Sequence, residues 1–95
     1  GKQYPAGNSI IDLLAVRKDR GELLVIELKR RRATDTAVGQ LLRYMGWVKA
    51  NIADEGQSVA GMIIALEDDP KLRLAISVVP NVRFLRYEVS FTLRE

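Results

Sequence analysis

The sequence predicts an α/β domain: a mixed central sheet flanked by helices. Two short apolar runs meet across a polar turn, which reads as an antiparallel hairpin. Apolar residues then recur at three- and four-residue steps over a long stretch, which reads as an amphipathic helix. Further strand-like and helix-like segments follow in the order strand, helix, strand, so sheet and helices share one core. At 95 residues the chain forms a single domain spanning 1–95. It begins with Gly1 rather than Met, and its lead-in starts abruptly, so a preceding piece of a longer protein is expected.

Residues 1–9 carry Gly1, Pro5, Gly7 and Asn8 and read as an extended lead-in with a turn. Ile10 to Val16 is apolar except for Asp12, and Glu22 to Lys29 is apolar inside its ends except for Glu27. Lys18-Asp19-Arg20-Gly21 is the turn between them, and the weak alternation predicts strands buried on both faces. Thr34 or Asp35 caps a helix running to about Ile52, built on Val38, Leu41, Leu42, Met45, Val48 and Ile52. Gly39 and Gly46 weaken it unless close packing accounts for them. Asp54 to Ser58 is a loop and Val59 to Leu66 a third strand. Asp69-Pro70 starts a short helix to about Val78, with Pro70 suited to a first turn. A last strand is expected from Val82 to Leu93, because Tyr87, Val89, Phe91 and Leu93 alternate with polar residues.

Composition narrows the chemistry. There is no cysteine, which removes disulfides, thiolate zinc sites and cysteine nucleophiles together. There is no histidine, which removes the usual general base and nitrogen ligand. A bound metal would be held by oxygen, favouring hard cations such as Mg²⁺, Mn²⁺ or Ca²⁺. No apolar run is long enough to span a membrane and nothing marks the start for export, so a cytoplasmic location is expected. The net charge of +3 is mild, but Lys29, Arg30, Arg31 and Arg32 form an unbroken basic run. Such a run suits phosphates, although most are solvated surface.

A charge inside a buried strand is costly unless it is paired, protonated or metal-bound. If Lys18 to Gly21 is the turn, Arg17 pairs with Glu22, and the same register sets Asp12 opposite Glu27. Directly opposed residues carry Cβ atoms about 4.5–5.5 Å apart. Lys29, two residues after Glu27, shares that face. Two acids this close call for a divalent cation, with Asp12 and Glu27 as ligands and the Leu28 carbonyl as a third. Lys29 would then orient the attacking water or stabilise transition-state charge. The plainer alternative is a structural ion pair between Lys29 and either acid.

Gln40 and Tyr44 lie one turn apart on one helix face. They suit a site bordering Lys29, but on spacing alone an amide and a tyrosine filling a helix–sheet seam is the simpler expectation. Trp47 suits base stacking, but packing is the simpler expectation. Glu67, Asp68 and Asp69 lack the spacing of a calcium loop, and capping by Asp68 or Asp69 accounts for them.

Asp12 followed by Glu27-Leu28-Lys29 resembles the divided D…(D/E)xK motif of the PD-(D/E)xK nuclease superfamily. Gln40-Leu41-Leu42-Arg43-Tyr44 resembles the QxxxY motif of its RecB-like members. Ile11 to Ala15, Val25 to Arg30 and Ala37 to Lys49 look like the C-terminal nuclease domain of NucS/EndoMS-type endonucleases, and the likeness covers nearly the whole chain. It implies a restriction-endonuclease-like fold whose N-terminal core helix is missing here. It also implies cleavage of branched, flapped or mismatched DNA with Mg²⁺ or Mn²⁺ in DNA repair. Asp12 and Glu27 would bind metal, Lys29 would be the catalytic lysine, and Gln40 and Tyr44 would complete the site. Arg30, Arg31 and Arg32 are expected to touch DNA phosphates. A homodimer and a separate N-terminal DNA-binding domain are the expected partners. The rival readings are a nuclease-fold DNA-binding module without chemistry and a structural or protein-interaction domain.

Overall fold

The computed structural model describes residues 4–6, 9–11, 13–17 and 21–95. The lead-in is a small hairpin: β1 (Tyr4–Ala6) pairs antiparallel with β2 (Ser9–Ile11). β3 (Leu13–Val16) and β4 (Glu22–Leu28) follow, then α1 (Asp35–Asn51), β5 (Ser58–Ala65), α2 (Pro70–Ile76) and β6 (Val82–Arg86). The main sheet has the order β3-β4-β5-β6, antiparallel at β3/β4 and parallel at the other two junctions. This is the expected mixed sheet. The hairpin register also matches expectation from Leu13↔Ile26 to Val16↔Leu23, and the Arg17 amide donates to the Glu22 carbonyl at 3.1 Å. The turn at residues 18–20, the predicted turn at Gly7-Asn8 and Asp12 lie outside the described residues.

Three expectations change. The run from Ile10 to Val16, expected as one strand, is divided between β2 of the small hairpin and β3 of the main sheet. The main sheet is covered by helix on one face among the described residues. Leu23, Val25 and Glu27 of β4, and Val59, Gly61, Ile63 and Ala65 of β5, are buried in strict alternation with half-buried neighbours. Strands that read as uniformly apolar therefore have an inner face and a more open one, carrying Leu24, Ile26 and Met62. Both parallel crossovers land on the inner face, as successive strands added in one direction require. Leu41 and Met45 of α1 lie over Gly61, and Arg73 of α2 lies over the Phe84 ring, which shares that face with Val82.

The last strand stops at Arg86, and the alternating segment 87–93 forms no strand. β6 pairs only along Gly61–Ala65, and β5 ends there. Beyond the Tyr87 amide, which donates to the Ala65 carbonyl at 3.0 Å, β5 offers no ladder to continue. Alternation makes a strand only when a neighbour satisfies its backbone.

The core is held by Val25, Leu41, Val48, Ile63 and Leu72, the largest fully buried side chains. Each stabilises the fold by about 1.5–3 kcal/mol through burial. Thr34 is the N-cap of α1 by position, but its side chain makes no capping bond; Asp35 sits in the first turn. Asp69 caps α2, accepting from the Leu72 amide at 2.8 Å, with Pro70 opening the helix. No helix among the described residues is long and apolar enough to cross a membrane.

Candidate active site

β4 and α1 together build the site. Glu27 projects from β4 onto the inner face, in line with Leu23 and Val25, and is the only buried charged residue among those described. One strand period later, Lys29 reaches the same side. Its ammonium lies 3.2 Å from Glu27 Oε1 and donates to Gln40 Oε1 at 3.0 Å. The Glu27 side chain is 6% exposed and that of Lys29 32%, so the carboxylate is enclosed while the ammonium still meets solvent. A carboxylate so buried is sustained only by close partners, and Lys29 is one of them.

Leu28 points its side chain to the other face, where it is half exposed. The Lys29 amide donates to the Ile64 carbonyl of β5 at 2.8 Å, and among the described residues no peptide bond is cis. In a trans peptide the carbonyl of one residue opposes the next amide. The Leu28 carbonyl therefore points away from β5, toward the β3 side of the sheet. The cluster lies at the carboxyl end of a parallel strand, the usual place for ligand sites in α/β sheets.

The sequence-predicted residues divide accordingly. Glu27, Lys29 and Gln40 come together. Tyr44, one turn beyond Gln40, is 5% exposed and belongs to the core, which makes it a helix–sheet seam residue. Trp47 is partly buried against the same core. Arg30, Arg31 and Arg32 are exposed, but their backbone is ordered by the sheet. The Glu67 amide donates to the Arg31 carbonyl and the Ala33 amide to the Glu67 carbonyl, each at 2.9 Å, so the strand direction continues through an Arg32–Glu67 bridge. Arg32 also lies 3.8 Å from Asp69, which divides its charge between that acid and solvent. The acidic cluster is structural as expected: Asp69 caps α2 and Asp68 pairs with Arg73. Among the described residues no three acidic side chains gather around one point, and Asp12 lies outside that set. Sequence reasoning missed Tyr87, whose hydroxyl donates to the Arg30 carbonyl and ties the basic run to the end of β6. The two lie 57 positions apart in the sequence, so no local pattern signals it.

A mixed α/β sheet with a buried carboxylate, a lysine two residues on and a helix amide fixing that lysine is the arrangement that the resemblance to nuclease domains implies. The chain belongs to the family described as the Endonuclease NucS C-terminal domain, whose profile matches residues 1–88. It is 39% identical over 64 residues to Endonuclease NucS of Pyrococcus abyssi, covering 67% of this chain and 24% of that protein. The same identity over the same length holds for Endonuclease NucS of Pyrococcus furiosus, covering 67% of this chain and 22% of that protein. Among solved structures it resembles a repair endonuclease from Pyrococcus abyssi with a TM-score of 0.75 and 28% identity, over 93% of this chain and 37% of that one. An EndoMS complex with double-stranded DNA gives a TM-score of 0.69 at 28% identity, over 90% of this chain and 34% of that one. The chain thus spans about a quarter of the length of the curated relatives it matches.

Proposed function

We propose that this chain is the catalytic part of a Mg²⁺- or Mn²⁺-dependent DNA endonuclease, acting in the cytoplasm on branched, flapped or mismatched DNA during repair. The observation that carries the reading is the buried Glu27 carboxylate 3.2 Å from a lysine that Gln40 holds in place. Relatives named as endonucleases, and the likeness to a DNA-bound EndoMS chain, support it.

The donor set fits a hard cation. It consists of oxygens: the Glu27 carboxylate and the Leu28 carbonyl turned toward the β3 side, with Asp12, outside the described residues, as the further ligand the sequence calls for. A bound divalent cation would supply Lewis-acid activation of the phosphodiester and offset charge there. Lys29 places a positive charge where negative charge develops on the phosphoryl oxygens. Gln40 fixes the ammonium, so little reorganisation is needed as the reaction proceeds. Tyr44, from its buried position, keeps α1 seated so that Gln40 meets Lys29. Arg30 and Arg31 meet DNA phosphates, and Arg32 adds a share beyond its contact with Asp69. A separate DNA-binding domain and a second copy of the protein complete the working assembly.

The test is Mn²⁺-dependent cutting of labelled flap and mismatched duplexes, with Glu27→Ala and Lys29→Ala alongside. Cutting lost in both variants while DNA binding persists supports the enzyme. DNA binding without cutting by the unsubstituted protein, in its full-length context, would instead identify a silent nuclease-fold module.

A further inference from the structure

We infer that Arg43 is a DNA-phosphate contact that carries the substrate strand past the Glu27–Lys29–Gln40 cluster along the outer flank of α1. The inference rests on the nuclease reading above and adds a binding residue to it.

α1 is fixed against the sheet by Ala37, Val38, Leu41, Tyr44, Met45 and Val48. At about 100° per residue, Gln40 lies at one border of that buried arc, and Arg43 lies further round on the same side, facing solvent. Three residues separate them, so Arg43 is Gln40's neighbour on the helix surface, displaced about 4.5 Å along the axis. Phosphates of one DNA strand recur about every 3.4 Å of duplex rise. A strand whose scissile phosphate lies at Lys29 therefore brings a phosphate one or two nucleotides away within reach of this side chain.

Three features suit Arg43 to a phosphate contact, the first of them shared with other exposed arginines such as Arg30 and Arg31. Arg43 makes no ion pair among the described residues, whereas Arg17, Arg32 and Arg73 each do. Its helical neighbours at three and four residues are Gly39, Gln40, Gly46 and Trp47, so no carboxylate on its own helix competes for it. Both glycines are exposed, and a Cβ at either would meet nothing within 4 Å, so packing within the chain does not account for them. They leave the guanidinium bare on one side, where a sugar–phosphate backbone can approach the helix closely. The rigid seat of α1 and the Lys29–Gln40 bond then fix this cation relative to the reacting centre.

The test is binding of a labelled flap duplex to the full chain in EDTA, where metal-dependent cutting does not intervene. Affinity is measured across a salt series for the unsubstituted protein, Arg43→Gln, Arg43→Lys and Lys49→Gln, with thermal melts confirming the fold. Lys49 is an exposed cation on the opposite flank of the same helix. Arg43→Gln should bind several-fold more weakly and lower the slope of log K against log salt by about one, the loss of one phosphate contact. Arg43→Lys should keep most of the slope, and Lys49→Gln should keep all of it. If the unsubstituted protein binds and Arg43→Gln matches Lys49→Gln in affinity and slope, the role of Arg43 is overturned and the nuclease reading stands. If the unsubstituted protein binds no DNA at any salt, both fall together.

Discussion

Gln40 accepts a hydrogen bond from the Lys29 ammonium at 3.0 Å, joining the second turn of α1 to the end of β4. The bond links two elements whose packing is independently fixed by Val25, Leu41 and Val48. Lys29 is thereby held in one place instead of sampling the many rotamers open to a half-exposed lysine.

Removing that acceptor should harm chemistry more than binding. A hydrogen bond to a charged group contributes about 1.5–3 kcal/mol, and about 1.36 kcal/mol corresponds to tenfold in rate. If that energy is expressed in the transition state, Gln40→Leu should slow single-turnover cutting of a flap substrate about tenfold to a hundredfold. DNA affinity should change little. Equal loss of affinity and rate would assign Gln40 to substrate binding instead.

The two ends of the Glu27–Lys29 pair should respond unequally. Without the carboxylate, the ammonium still reaches water; without the ammonium, Glu27 keeps its buried charge and loses an ion partner. Lys29→Met should therefore destabilise the protein by about 1–3 kcal/mol, and Glu27→Gln by less, as read by urea denaturation. Mn²⁺ should raise the melting temperature of the unsubstituted protein and leave that of Glu27→Gln unmoved, because a ligand bound to the native state stabilises it by mass action. An equal Mn²⁺ shift in both would remove Glu27 from the metal site.

How far the sequence revealed this site depends on the range of the forces involved. α1 was expected from residue 34 or 35 to about Ile52 and runs Asp35–Asn51, because its apolar spacing is a local record of one buried face. The pairing of Arg17 with Glu22 was legible because a short turn sets the register of its flanking strands. Glu27, Lys29 and Gln40 were separable from ordinary surface charges by their setting in an apolar strand and the helix that follows it. Three things were not legible. The segment after Arg86 has a strand's alternation, but its pairing depends on where β5 ends. The inner and outer faces of β4 look alike in sequence, since Val25 and Ile26 are equally apolar. Arg32 reads as one of three equivalent arginines until folding brings Asp69 to 3.8 Å.

Gly61 should be the least replaceable glycine of the sheet. A Cβ there would sit 2.5 Å from Met45 Sδ and 2.8 Å from Leu41 Cδ2, so the missing side chain lets α1 approach β5 closely. Gly61→Ala should cost about 1–3 kcal/mol by overpacking. In a double-mutant cycle with Met45→Ala, the combined loss should be smaller than the sum, since truncating Met45 makes room for the new methyl. Strict additivity would show that the seam adjusts elsewhere.

Gly39 and Gly46 should behave in the opposite way. Both lie within α1 on its exposed side, neither has a positive φ, and a Cβ at either position meets open space. Glycine in a helix interior is disfavoured relative to alanine by about 0.8–1.0 kcal/mol, mostly through the freedom it retains when unfolded. Gly39→Ala and Gly46→Ala should each raise stability by about 0.5–1 kcal/mol, and the two gains should add, because seven residues put them two turns apart. Urea midpoints of the two single variants and the double variant measure this directly. A loss of stability in either single variant would reveal a packing demand on that face of the helix that the isolated chain does not contain.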